Sequence, residues 1–184
     1  AEGDMEKAGE ILRKKGVIKA AKRADKIAAE GVTSVKTKGN TAVVLELNSE
    51  TDFVAQNEDF KKLVNELADD LLENKPATME EAMSVAVAEK INNLTAKIGE
   101  KIALRRFFVM EKSDADVFGA YSHLGGKISV LVLLKNTTDS GLAGDIAMHT
   151  AAANPKYISR AEVLAEIVEK EKEIYTDQLK QQGK

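Results

Sequence analysis

The sequence predicts an α+β protein built from two small antiparallel-sheet hairpin–helix units, with helical extensions at both ends. Three observations lead there. A strand–turn–strand–helix pattern occurs twice within the 184 residues. Setting Val43-Val44-Leu45-Glu46-Leu47 over Val130-Leu131-Val132-Leu133-Leu134 puts Thr51-Asp52 on Thr138-Asp139 without a gap, as an internal duplication would. The composition, 43% hydrophobic and 31% charged, is that of a soluble chain able to build a core in one domain or two small ones.

The elements follow in order. Residues 4–15 read as a helix with Met5, Ala8, Ile11 and Leu12 on one face, and Gly16 as its stop. A second, Ala-rich helix is expected over residues 17–29. Its cations Lys19, Lys22, Arg23 and Lys26 continue those at Arg13, Lys14 and Lys15. A solvated helical face is the favoured reading of that run, over a basic patch for an acidic partner. Residues 31–38 and 41–47 read as strands joined by a hairpin turn at Lys38-Gly39-Asn40. Ser49 and Asp52 have the spacing of a capping box, so the second strand should pass through a sharp junction into a helix with Asp52 and Phe53 at its tip. Phe60, Leu63, Val64, Leu67 and Leu71 form that helix's apolar stripe, and Pro76 breaks the chain after it.

Thr78 with Glu81 is another capping box. It opens a helical stretch carrying Met79, Ala82 and Met83, then Val87, Ile91, Leu94 and Ile98, closed by Gly99. Residues 101–110 are rich in β-branched and aromatic side chains and read as a strand. The second unit has strands at 117–122 and 127–134 around a Leu124-Gly125-Gly126 turn. Its helix opens at Thr138-Asp139, with Leu142, Ile146 and His149 on one side, and Asn154-Pro155 ends it. Ser159 with Glu162 is expected to cap a last helix to about residue 181, whose sparse apolar positions and charged faces suit one arm of an antiparallel helical hairpin.

Several function classes are disfavoured. A net charge of −3 argues against general nucleic-acid or anionic-membrane binding. With no cysteine there is neither a disulfide framework nor a thiolate metal site, which fits a reducing compartment. No apolar run reaches the roughly 20 residues of a membrane span, and no stretch reads as a secretory signal peptide. G-x-G-x-x-G and Walker motifs are absent, so direct nucleotide binding is not expected, and no cofactor is implied. Glu66, Asp69, Asp70 and Glu73 read as the polar face of a helix rather than a metal cluster. His149, on an apolar helical face, reads as a satisfied core histidine. His123, at a hairpin tip, has no Ser or Cys nucleophile recognisable beside it, and nothing else in the chain suggests an enzyme. Phe53 differs from all of these: an aromatic at a polar junction, it has Ser140 as its counterpart in the second unit. A phenylalanine needed only for folding would be expected to have an apolar counterpart there.

The run Glu46-Leu47-Asn48-Ser49-Glu50-Thr51-Asp52-Phe53-Val54-Ala55 resembles the signature of the bacterial elongation factor Ts family. So do Leu12-Arg13-Lys14-Lys15-Gly16, Ile18-Lys19-Ala20-Ala21-Lys22, Lys97-Ile98-Gly99-Glu100-Lys101-Ile102, Arg105-Arg106 and Ile146-Ala147-Met148-His149, all in the family's order. The resemblance implies a cytoplasmic guanine-nucleotide exchange factor for elongation factor Tu. It implies that Thr51, Asp52, Phe53 and Val54 form a tip that disturbs the partner's Mg²⁺ and phosphate side, and that His123 with Leu124 makes a second contact. It also implies a division into residues 1–30, the remnant of an N-terminal helical module with a linker helix; 31–112, a first core subdomain; 113–156, an incomplete second one; and 157–184, the first arm of a helical hairpin. A chain truncated at both ends, with self-association through an incomplete second sheet, is therefore expected. The residues themselves leave open an unrelated α+β interaction module or enzyme with a fortuitous match.

Overall fold

A computed structural model describes residues 5–183, which fall into two units divided between Ala152 and Ala153. The first unit opens with helix α1 (Met5–Lys22) and a turn, then the strands β1 (Glu30–Lys38) and β2 (Thr41–Ser49). Helices α2 (Asp52–Ala55), α3 (Glu58–Asn74), α4 (Met79–Ala82) and α5 (Val85–Ile98) follow, and strand β3 (Ala103–Glu111) returns to β2. Sheet one is antiparallel in the order β1-β2-β3. Strands β4 (Val117–His123) and β5 (Ile128–Leu134) form a second antiparallel pair, and helix α6 (Ser140–Ala153) leaves it. This is the predicted α+β arrangement.

The main core follows from two periodicities that meet. Val43, Leu45 and Leu47 alternate onto one face of β2, and Phe60, Leu63, Val64, Leu67 and Leu71 line one stripe of α3; all are buried together. Val87, Ile91 and Leu94 of α5 and Leu104 of β3 complete the cluster. At about 1.5–3 kcal/mol for each fully buried large apolar side chain, this is the principal stabilising contact of the unit. Lysines meet the outward carboxylates of α3: Lys36 lies 2.5 Å from Asp69, and Lys90 2.6 Å from Asp70.

The hairpin of sheet two sits against β1. The Thr33 hydroxyl bonds the Gly126 carbonyl at 2.8 Å and the Ser129 hydroxyl at 2.9 Å. Gly126 adopts φ +94°, and a Cβ there would fall 2.8 Å from the Thr33 carbonyl oxygen. Helix α6 approaches β4 more closely still, since a Cβ on Gly119 would be 2.0 Å from the Ala143 carbonyl oxygen. Its buried residues are the small Ala143 and Ala147, not the larger Leu142. His149 is exposed, not the expected core histidine. The helix approaches closely enough that its alanines make the contact, while Leu142, Met148 and His149 are exposed and Ile146 is half-buried.

Three other expectations are corrected. Gly16 does not stop a helix, because α1 runs continuously to Lys22 and residues 23–29 are not helical. Gly16 is buried with its Cβ position 3.6 Å from that of Ala96, so it serves the packing of α1 on α5. The expected face of Met5, Ala8 and Leu12 and the cations Arg13 and Lys15 lie outside the described side chains; Lys14, Lys19, Lys22 and Lys26 are exposed. The Ser49–Asp52 capping box does not form. Ser49 is buried and donates its hydroxyl to the Thr51 carbonyl at 2.8 Å. The helix breaks after Ala55, and Asn57 restarts it by accepting from the Asp59 amide at 2.8 Å. In the C-terminal unit that begins at Ala153, Ser159 and Glu162 close only a 3-10 turn over Arg160–Glu162, and helix α7 (Ala165–Gln181) starts later. Thr78 does cap as expected, accepting from the Glu81 amide, and Gly99 ends α5 in the left-handed region.

Candidate functional site

Strand β2 ends in the core, and the two residues after it carry the turn into α2. Both are held from the side by the segment that follows α5. The Thr51 amide donates to Glu100 Oε2 at 3.0 Å, and the Thr51 hydroxyl donates to Glu100 Oε1 at 2.7 Å. One residue along on each side, the Lys101 amide donates to Glu50 Oε1 at 2.6 Å. Glu50 also pairs with Arg23 at 3.2 Å, and Lys101 Nζ reaches the Ala24 carbonyl at 2.5 Å. Two carboxylates thus take up backbone amides across the junction. Hydrogen bonds to charged acceptors are shorter and about twice as strong as neutral ones. Gly99 makes this brace reachable: its φ of +85° ends α5 and turns the chain towards the junction.

The single turn of α2 divides its four residues. Val54 and Ala55 are buried in the main core, at 8% and 2% exposure. Asp52 is exposed, and Phe53 is 83% exposed. Thr51, Asp52 and Phe53 therefore share one tip, while Val54, named with them from the sequence, is its anchor. A free phenylalanine ring on a braced, anchored turn is a side chain positioned without being packed.

His123 and Leu124 lie on a different element, the connection between β4 and β5. His123 Nδ1 is 3.1 Å from the Tyr121 hydroxyl, and the two rings stack with centroids 5.9 Å apart. Leu124 is 71% exposed and adopts φ +50°, a left-handed conformation that costs a non-glycine residue roughly 1–2 kcal/mol. Glycines at 125 and 126, both with positive φ, complete the tight tip.

Sequence reasoning missed Arg23, Glu50, Glu100 and Lys101 as partners of the tip. Glu50 lay inside the signature run and Glu100-Lys101 inside a second one, but residues 49 or 51 positions apart are joined only by the fold. Arg105 and Arg106, noted from the sequence as a pair, both approach Glu46 of β2, at 3.7 and 2.6 Å. Among the described residues no group of His, Asp and Glu is arranged to hold a metal, and no helix is long and apolar enough to cross a membrane.

A family model described as elongation factor TS matches residues 50–184, well over half of the chain, from the braced junction to the last residue. The junction, both sheets' later strands and the final helix fall within that match, and on it the chain belongs to the elongation factor Ts family of translation factors.

Proposed function

We propose that this chain binds elongation factor Tu and promotes the release of its GDP, as an exchange factor and not as an enzyme that makes or breaks covalent bonds. The observation that carries the reading is Phe53, 83% exposed on a turn whose neighbours on both sides are fixed. The family match supplies the class of partner. A nucleotide held by backbone amides and Mg²⁺ leaves quickly only when another protein stabilises a conformation that holds it poorly. Phe53 serves as the wedge, and Asp52 beside it brings a carboxylate to the partner's Mg²⁺ and phosphate side. His123 and Leu124 form a second contact on another hairpin. The strained φ of Leu124 supports that role, because such strain clusters at functional positions. The place of action is the cytoplasm.

The test is release of labelled GDP from elongation factor Tu, with and without this chain. Acceleration that rises with the chain's concentration and saturates is expected. No change in release at any concentration would exclude the exchange reading.

A further inference from the structure

Among the described residues, Phe53 and Asp52 make no hydrogen bond of their own across the junction that could hold them. The residue before them does. The Thr51 backbone and side chain both donate to one carboxylate, at 3.0 and 2.7 Å, and that carboxylate comes from Glu100, 49 residues away. Thr51 is also the N-cap of α2, yet its side chain makes no bond to the helix; its hydroxyl donates to Glu100 instead. The turn therefore lacks the ordinary cap that would set its direction. Its direction is set instead from outside, by a side chain that follows the left-handed Gly99.

We propose that Glu100 is a positioning residue for nucleotide exchange: its carboxylate, gripping Thr51 at two points, fixes the turn that presents Asp52 and Phe53. The role rests on the exchange reading above. A tip ordered before encounter binds without the entropy loss of ordering it at the interface. Releasing Thr51 lets α2 fray from its start while Val54 and Ala55 keep its end in the core. Phe53 then samples many directions, of which few fit the partner.

The chemistry separates three variants. Glu100→Ala removes both acceptors. Glu100→Gln keeps two bonds, since its amide oxygen accepts from the Thr51 amide and its NH₂ donates to the Thr51 hydroxyl, which can also accept. Thr51→Val removes only the hydroxyl bond and keeps the β-branched shape, so it tests the brace even if Glu100→Ala folds poorly.

Two readouts are measured together: amide hydrogen exchange at residues 51–54 in the free chain, and GDP release from elongation factor Tu. Glu100→Ala should lose protection at Thr51 while the β2 amides keep theirs. It should slow release about tenfold at subsaturating factor, about 1.4 kcal/mol. Thr51→Val should lose less, and Glu100→Gln should restore most of the rate. In a Phe53→Ala background, Glu100→Ala should cost almost nothing further, because a positioning residue has nothing left to position. Unchanged release in Glu100→Ala, or an equal loss with and without Phe53, overturns the proposal. Should the wild-type chain fail to accelerate release, the exchange reading and this role fall together. That case is told apart by the wild-type control alone, and a lost Thr51 protection would then mark Glu100 as a stabilising contact only.

Discussion

Phe53 and Val54 are neighbours with opposite assignments, and mutating each gives a different signature. Phe53 is exposed, so Phe53→Ala should leave the melting temperature nearly unchanged. If the ring is an interface anchor of about 2 kcal/mol or more, the same change should slow GDP release by roughly 30-fold or more. Val54→Ala removes two buried carbon groups at about 0.8 kcal/mol each, plus a cavity. It should lower stability by roughly 1.5 kcal/mol or more, seen in urea melts. A Phe53→Ala chain that melts early yet exchanges normally would reverse the assignment and place the ring among the packing residues. His123→Ala should weaken binding to elongation factor Tu without loss of fold, measured as affinity at several salt concentrations; unchanged affinity would remove it from the interface.

Packing between elements makes two glycines behave differently. Gly16 lies inside α1 with ordinary contact distances around its missing Cβ. Alanine is favoured over glycine in a helix interior by about 0.8–1.0 kcal/mol, so Gly16→Ala should raise thermal stability by up to that amount. A glycine needed to end a helix would do the opposite. Gly119 has the Ala143 carbonyl 2.0 Å from its Cβ position, so Gly119→Ala must push α6 off β4. A loss of at least about 1–3 kcal/mol is expected from such overpacking. Sheet two also gives a pH signature. The Asp116 carboxylate accepts from the Asn136 amide at 2.9 Å and from the Ser113 hydroxyl at 2.7 Å. The Asn136 amide first, then Ser113, holds its pKa below the ordinary value. A group depressed in the folded state contributes stability above its unfolded pKa, about 3.9 for Asp, and loses it as the pH falls through the folded value. Asp116→Asn should therefore flatten the loss of stability below about pH 4, followed as melting temperature against pH.

At the scale of the whole molecule, two proposals concern association. Among the described residues sheet two has only β4 and β5, and open strand edges template pairing with another chain. We propose self-association through that sheet, expected as a mass that rises with concentration in sedimentation; a constant monomer mass would dismiss it. The other concerns the exchange complex. Linkage requires that GDP weaken the factor's affinity by the same ratio that the factor weakens GDP's. Titrating the factor into elongation factor Tu with and without GDP should show that weakening, and equal affinity in the two titrations would exclude the exchange reading.

The chain's local chemistry alone determined the strands, the apolar stripe of α3, the Thr78 cap and the Gly99 stop. Each depends on residues a few positions apart, and their periodicity is printed in the order of the side chains. The exposed Phe53 was legible for the same reason: a polar junction surrounds it, and Ser140 stands at the matching place of the second unit. Only the tertiary structure decided what Gly16, Ser49, Val54 and His149 do. A glycine reads locally as a stop until Ala96 comes against it. A serine reads as a cap until burial turns its hydroxyl towards Thr51. A histidine on an apolar face reads as core until a helix packs by its alanines instead. The brace from Glu100 to Thr51 joins residues 49 positions apart, and no local pattern records a contact that exists only once α5 has packed against α1 and α3.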